Sequence, residues 1–464
     1  MSKKKLLNSV FFSIGANFST LLVSLILLIM LPKLVGVQGF GYWQLYLLFT
    51  TYTALLHFGW VDGVYLKYGG KEYKNLDKRL LSNQFFTLTA MLFIVASVAS
   101  LLIFGSNLNF DKKIIFISVF FSSLFVIPRG FLLMILQATN RIKDYSKLTM
   151  YSSIIFILML INLFLFQVNE FYIFVFTDIF VKFLSLLITM YVCKELFLNI
   201  NFNYLEYKKL KDEVLENIKS GINIAIAYVA GVLVIGIVRQ GVEIQAGIIE
   251  FSNLSLALNF VNVILVFINA LAVVFFPIIK KSNSIQQKNY YLTFNKIISN
   301  FFYVLFLLYY PLLLLIEYLF PDFGKISTIF YLIFPIILLE GKNSILNIVY
   351  LKSLRKEKIF LIINVILVVL SAILTYIIIL KMNFYSYAPL IIVCILLLKY
   401  ILLTVVIAKE ISVKISRSLF KDTLLIIIFI LINNQLSFSH SFLVIFLILF
   451  LNLILSILIK NKHA

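Results

Sequence analysis

Charge is what this chain has least of. Only 13% of its 464 residues are Asp, Glu, Lys or Arg, while 62% are apolar. A soluble globular chain is nearer half apolar and a quarter charged, so too little polarity remains here to wet a surface around a core of this size. Cysteine is almost absent. Cys193 and Cys394 lie far apart in apolar segments, which excludes a disulfide framework or zinc spacing. The three histidines, His57, His440 and His463, form no metal cluster along the chain. No P-loop and no H-E-x-x-H occurs. Gly36-x-x-Gly39-x-Gly41 has no strand or βαβ unit around it, so it is not a dinucleotide fingerprint. No cofactor is expected, nor an ATP-driven pump within this chain.

What is present is long apolar runs, rich in Phe (47) and Tyr (25). A spanning helix needs about 20 mainly apolar residues. Fourteen segments qualify: 9–31, 43–66, 81–104, 114–137, 148–167, 171–192, 220–238, 248–276, 297–320, 326–350, 359–380, 389–408, 422–435 and 441–459. The thirteenth is short. The first follows Lys3 to Lys5 without a small-residue cleavage site and is long enough to be retained as a span. The expected fold is therefore an all-α integral membrane protein of about fourteen transmembrane helices.

The formal net charge of +20 would suggest nucleic acid in a soluble chain. Here the basic residues alternate between loops. With the N-terminus inside, 30 of the 40 fall on the cytoplasmic side, six on the other and four within spans. Cytoplasmic loops carry the excess of Lys and Arg in membrane proteins, so both termini are expected in the cytoplasm and the number of spans is even. The basic loops then lie near anionic lipid heads, and nucleic acid is not an expected partner.

The longest polar segment, 194–219, carries Glu206, Lys208, Lys209, Lys211, Asp212, Glu213 and Glu216 and reads as an amphipathic surface helix. It divides the chain into an N-terminal lobe (1–193, helices 1–6), this linker, a C-terminal lobe (220–408, helices 7–12) and two added helices (409–464). The entry into helix 7, Lys219 to Asn223, loosely echoes the entry into helix 1, Asn8 to Phe12. A glycine-bearing stretch follows each, Gly36 to Tyr42 and Gly241 to Phe251. A six-plus-six repeat with two further helices is a normal transporter plan.

Charges inside a span cost about 2.5–3.5 kcal/mol each near the centre and usually face a bundle interior or a wet cavity. This chain has Asp62, Arg129, Asp178, Lys182, Glu250, Glu317, Glu340, Lys342 and Lys399 there, with Arg239 and Glu243 at the outer end of helix 7. Asp178 and Lys182 are four apart and can pair on one helix face, either as a structural tie or in a cavity. Arg129 follows Pro128, which can bend the helix, and that favours a cavity position. Glu340 and Lys342 lie toward the cytoplasmic half of helix 10, where snorkelling to the interface competes with a functional role. Lys399 has no acidic partner nearby in sequence and either suits an anionic ligand or snorkels to the interface. Asp62, near His57 at the inner end of helix 2, could exchange protons with it or be a helix-end charge near water. Arg239 and Glu243, also four apart, read as a gate pair or an anchor. Glu250 and Glu317 read as interface residues.

Three stretches carry a resemblance. They are Leu34 to Trp43 after helix 1, His57-Phe58-Gly59-Trp60 through Lys67-Tyr68-Gly69 closing helix 2, and Gln137 to Tyr145 closing helix 4. Ala246 to Ser252 looks like a degraded fourth. Together they resemble the polysaccharide-transporter branch of the multidrug/oligosaccharidyl-lipid/polysaccharide (MOP) exporter superfamily, the Wzx-type O-antigen flippases. The motifs span about the first 280 residues, and hydropathy the whole chain. The resemblance implies two six-helix lobes around a central cavity in the bacterial inner membrane. It implies outward movement of an undecaprenyl-pyrophosphate-linked oligosaccharide by alternating access, coupled to an ion gradient, for O-antigen or capsule. Membrane lipids and the polysaccharide polymerase are the further partners it suggests.

A pyrophosphate needs cations, and this sequence offers Arg129, Lys182, Arg239, Lys342 and Lys399. Coupling to protons would use Asp62 or Asp178. Two alternatives from the same superfamily are a drug/cation antiporter, which calls for an anionic cavity, and a lipid II flippase. A membrane-embedded glycan polymerase or glycosyltransferase would need a large outward loop or an acidic catalytic motif. The outward loops here are short, so an enzyme is not expected.

Overall fold

The computed structural model describes the backbone of residues 3–197, 204–414 and 416–461. Within the polar linker, 198–203 lie outside the described residues, as do Lys462 and His463. Every described element is helical. The long helices are α1 (Lys3–Tyr52), α2 (Trp60–Tyr68), α3 (Lys78–Phe104), α4 (Phe110–Ala138), α5 (Ile142–Leu165), α6 (Phe171–Val192) and α7 (Tyr204–Lys281). They are followed by α8 (Ser284–Leu305), α9 (Tyr309–Leu319), α10 (Ile326–Ile333), α11 (Ile336–Lys342), α12 (Ile348–Ser353), α13 (Glu357–Leu374), α14 (Ala388–Glu410), α15 (Ser416–Gln435) and α16 (Phe438–Asn461).

Eleven helical stretches are long and apolar enough to cross a membrane. Two of them, Phe12–His57 and Lys208–Asn269, run 46 and 62 residues, two to three times the length one crossing needs. With the shorter apolar stretch Phe438–Phe450, the chain is a multi-pass membrane protein with close to the fourteen crossings expected. Leu101, Phe104, Phe166 and Tyr318 are each more than 70% exposed. Water would penalise such a surface, whereas lipid tails solvate it.

The two double-length helices turn at a glycine. Gly36 in α1 has φ 67°, ψ −176°, and Gly247 in α7 has φ 83°, ψ −178°. This region of backbone space is essentially closed to residues with a Cβ. The same rare conformation therefore marks the same place in both halves of the expected repeat.

Residue contacts divide the chain into two compact units, Met1–Val232 and Leu233–Ala464. The boundary falls inside α7, not at the linker. From Tyr204 onward the linker is no separate surface helix but the first part of α7, because its Glu, Lys and Leu residues are good helix formers with no break before span 7. In the first unit, α7 is pressed against α2. A Cβ on Gly63 would lie 1.9 Å from the Asn217 carbonyl oxygen, and one on Gly221 would lie 2.0 Å from the Gly59 carbonyl oxygen. Gln84 of α3 ties this contact, accepting from Trp60 Nε1 (2.9 Å) and Asn217 Nδ2 (3.0 Å). Lys67 pairs with Glu213 at 2.8 Å and also with Glu216, and Lys209 pairs with Asp77 at 2.7 Å.

In the second unit, the segment Ile326–Ser353 is broken twice. Pro335 separates α10 from α11, and a π-helical turn at Asn343–Asn347 separates α11 from α12. Such turns inside helices are frequent at functional sites.

Candidate functional site

In the first unit, α6 supplies Asp178 and Lys182 one turn apart. Their charged groups meet at 2.5 Å. Tyr46 of α1 donates to Asp178 Oδ2 at 2.6 Å, and Lys182 donates to Tyr46 Oη at 3.2 Å and to Ser122 Oγ of α4 at 3.0 Å. Three helices thus converge on one pair. It is not sealed: the Lys182 side chain is 22% exposed and that of Asp178 11%.

Arg129 sits one residue after Pro128 in α4. One Nη donates to the Leu148 carbonyl oxygen of α5 at 3.1 Å, while its buried Nε has no partner among the described residues. The guanidinium carries spare donors and no acidic partner among those residues. Asp62, near the start of α2, is half-buried beside Gly221. His57 Nδ1 accepts the Gly59 N–H at 3.2 Å.

In the second unit, Lys342 of α11 is fully enclosed. It donates to Asp422 Oδ2 of α15 at 2.6 Å, Ser299 Oγ of α8 at 2.6 Å and Tyr400 Oη of α14 at 3.3 Å. Tyr400 and Tyr303 in turn donate to the two Asp422 oxygens, each at 2.7 Å. Both ionic side chains are at most 1% exposed. Snorkelling, which the sequence allowed for Lys342, is therefore overturned: its three N–H donors all have partners inside the bundle. Beside it, Lys399 of α14 finds Glu340 of α11 at 3.0 Å. The unpaired cation expected there has an acid 59 residues away in sequence. Asn347 continues the polar seam, donating to Asn343 Oδ1 (2.8 Å) and Thr404 Oγ1 (3.0 Å).

Arg239 donates to Ser255 Oγ at 2.9 Å and stacks 5.0 Å from the Phe251 ring centroid. Glu250 is ion-paired to Lys325 rather than standing alone at an interface. Among the described residues no three His, Cys, Asp or Glu side chains gather to hold a metal ion.

No family model matches the chain, and no curated protein matches it in sequence. Solved structures do match in fold. A lipid II flippase, MurJ, in an inward closed conformation aligns with TM-score 0.62 and 14% identity, over 98% of this chain and 100% of that one. An outward-facing multidrug resistance MATE family transporter of the MOP superfamily aligns with TM-score 0.57 and 13% identity, over 87% and 95%. A MOP superfamily transporter from Pyrococcus furiosus, titled for the reverse polarity of its binding pocket, aligns with TM-score 0.51 and 11% identity, over 88% and 96%. The chain has the fold of the MOP-superfamily transporters.

Within this MOP fold the sequence reading missed Asp422, which sits at the edge of the expected thirteenth span. Hydropathy placed the border there because Lys421 and Asp422 are charged. The helix begins earlier, at Ser416, and Asp422 enters the apolar layer because Lys342 neutralises it. An acid at the edge of a short span was the available signal. Tyr46, Tyr303, Tyr400, Ser122 and Ser299 left no signal of their own, since tyrosine and serine recur throughout the spans.

Proposed function

We propose that this chain is a flippase that moves an undecaprenyl-pyrophosphate-linked oligosaccharide repeat unit from the cytoplasmic to the outer leaflet of the bacterial inner membrane. The observation that carries this reading is the fold match to a flippase over nearly the full length of both chains. The motif series around Gly36, Gly59 and Asn140 supports the polysaccharide branch, and the 30-to-six split of basic residues supports cytoplasmic termini.

Arg129 and Lys182 are the cations that meet the pyrophosphate. Both belong to the first unit. Arg129 keeps donor capacity that a phosphate oxygen can use in a charge-assisted hydrogen bond, while Lys182, 22% exposed, would exchange one of its three present partners for the phosphate. A phosphate that draws Lys182 away leaves Asp178 with only Tyr46 as donor, which makes this carboxylate the coupling site. That exchange links substrate to an ion gradient, in which one charge crossing 100 mV supplies about 2.3 kcal/mol. Lys342 and Lys399 are already neutralised and hold the second unit together.

A second reading, export of cationic drugs, has the MATE fold match in its favour. It requires a net anionic site, and Asp178 is matched by Lys182 while Arg129 adds positive charge beyond it.

Deleting the gene tests the proposal. The expected outcome is loss of surface polysaccharide with lipid-linked repeat units accumulating inside. Normal surface glycan without accumulation sinks it, and hypersensitivity to cationic drugs in its place favours the second reading.

A further inference from the structure

The second unit contains a cleft of about 580 Å³ that the charge clusters do not use. Its walls come from four places: Glu250 after the Gly247 turn of α7, Lys325 and Tyr331 at the start of α10, the Tyr385-Ser386-Tyr387 turn before α14, and Asn434 at the end of α15. The alternation of basic loops puts every one of these four on the non-cytoplasmic side, the outer ends of spans 8, 10, 12 and 13. Their meeting at one cleft agrees with that alternation, which puts all four on one side of the membrane.

The chemistry of the cleft is specific. Three tyrosines face it, Tyr331, Tyr385 and Tyr387, with Ser386 and Asn434 beside them. Tyr331 donates to Asn434 Oδ1 at 3.0 Å, which leaves the Asn434 amide N–H groups available. Among the described residues of the wall, the only charges, Glu250 and Lys325, are paired with each other. A second cavity of about 570 Å³ shares Tyr331 and Asn434 and continues the cleft toward Ser441. A pyrophosphate would need surplus cations, and this wall has none. Tyrosine offers a flat apolar face and a polar edge, and a few placed polar groups among aromatics are what a small-molecule site of this volume uses to fix orientation. A neutral saccharide has the matching surface, with C–H faces for the rings and hydroxyls for the amide and serine.

We propose that this cleft is an outer-face site for the uncharged sugars of the glycan. The identity of the glycan rests on the flippase reading, while the sugar binding itself does not. The test uses the full chain in nanodiscs, with the oligosaccharide released by mild acid from the host's lipid-linked pool as probe, in a saturation-transfer titration. Wild type is expected to bind it. Tyr387→Ala should weaken binding about tenfold, and Tyr387→Phe should keep it. Tyr387 is 52% exposed, so its truncation opens no core void, and Tyr385→Ala provides a second variant. Unchanged binding in both alanine variants overturns the proposal, as does tyrosine-dependent binding of tetraphenylphosphonium in place of the sugar. If gene deletion strips surface glycan while both alanine variants bind and export like wild type, the cleft fails and the flippase stands. If deletion leaves surface glycan intact while Tyr387-dependent sugar binding persists, the flippase fails and the cleft stands.

Discussion

Each unit of this protein holds a lysine, an aspartate, a tyrosine and a serine in one hydrogen-bonded cluster, yet the two clusters are built for different ends. Lys182 and Asp178 share one helix, lie 11–22% exposed and lean on Tyr46 and Ser122 from two neighbours. Lys342 and Asp422 come from helices 80 residues apart, are at most 1% exposed, and have both tyrosines and the serine turned inward. A pair on one helix does not hold helices together by itself, so opening it leaves the bundle standing. A sealed pair between helices cannot lose one partner without stranding a charge away from water. On the proposed flippase reading, the same side chains serve as a switch in one place and a rivet in the other.

The largest effect is expected from stranding a charge in the rivet. Asp422→Asn should destabilise the protein by about 3–5 kcal/mol, read as a lowered unfolding midpoint in detergent. Replacing both partners, Lys342→Met with Asp422→Leu, should recover most of that loss, because a buried ion pair exchanged for apolar side chains is often neutral or better. A double variant as unstable as the single one would break the comparison. Next comes Gly36→Ala, which forces a Cβ into a backbone region costing about 1–3 kcal/mol. Gly247→Ala should match it if the two turns are equivalent. Lys399→Met should cost less than Asp422→Asn, since Glu340 is 21% exposed and water screens what remains. The smallest change in stability is expected for Asp178→Asn, because Lys182 is 22% exposed and keeps Tyr46 and Ser122 as partners. That variant should nonetheless uncouple export from the proton gradient, measured as surface glycan with and without a protonophore.

What the sequence made legible follows from the range of each interaction. The Asp178–Lys182 pair was readable because four residues is one helical turn. The exposure of Arg129 to a role was readable because Pro128 precedes it. The twin glycine turns were readable as glycine-bearing stretches after helices 1 and 7, although their shared conformation was not. Asp422 and the Lys399–Glu340 pair were hidden because their partners lie 80 and 59 residues away, and only packing brings them together. The course of α7 was hidden for another reason. Hydropathy marks where a helix is apolar, not where it begins, so 204–219 read as a surface element although its backbone continues unbroken into span 7.

The division between switch and rivet is tested most directly by export in the deletion strain, complemented with Lys182→Met or with the Lys342→Met, Asp422→Leu pair. Surface polysaccharide is measured at matched protein level. Lys182→Met is expected to abolish export, and the double variant to retain it. Full export with Lys182→Met, or its loss in a stable double variant, would contradict that division.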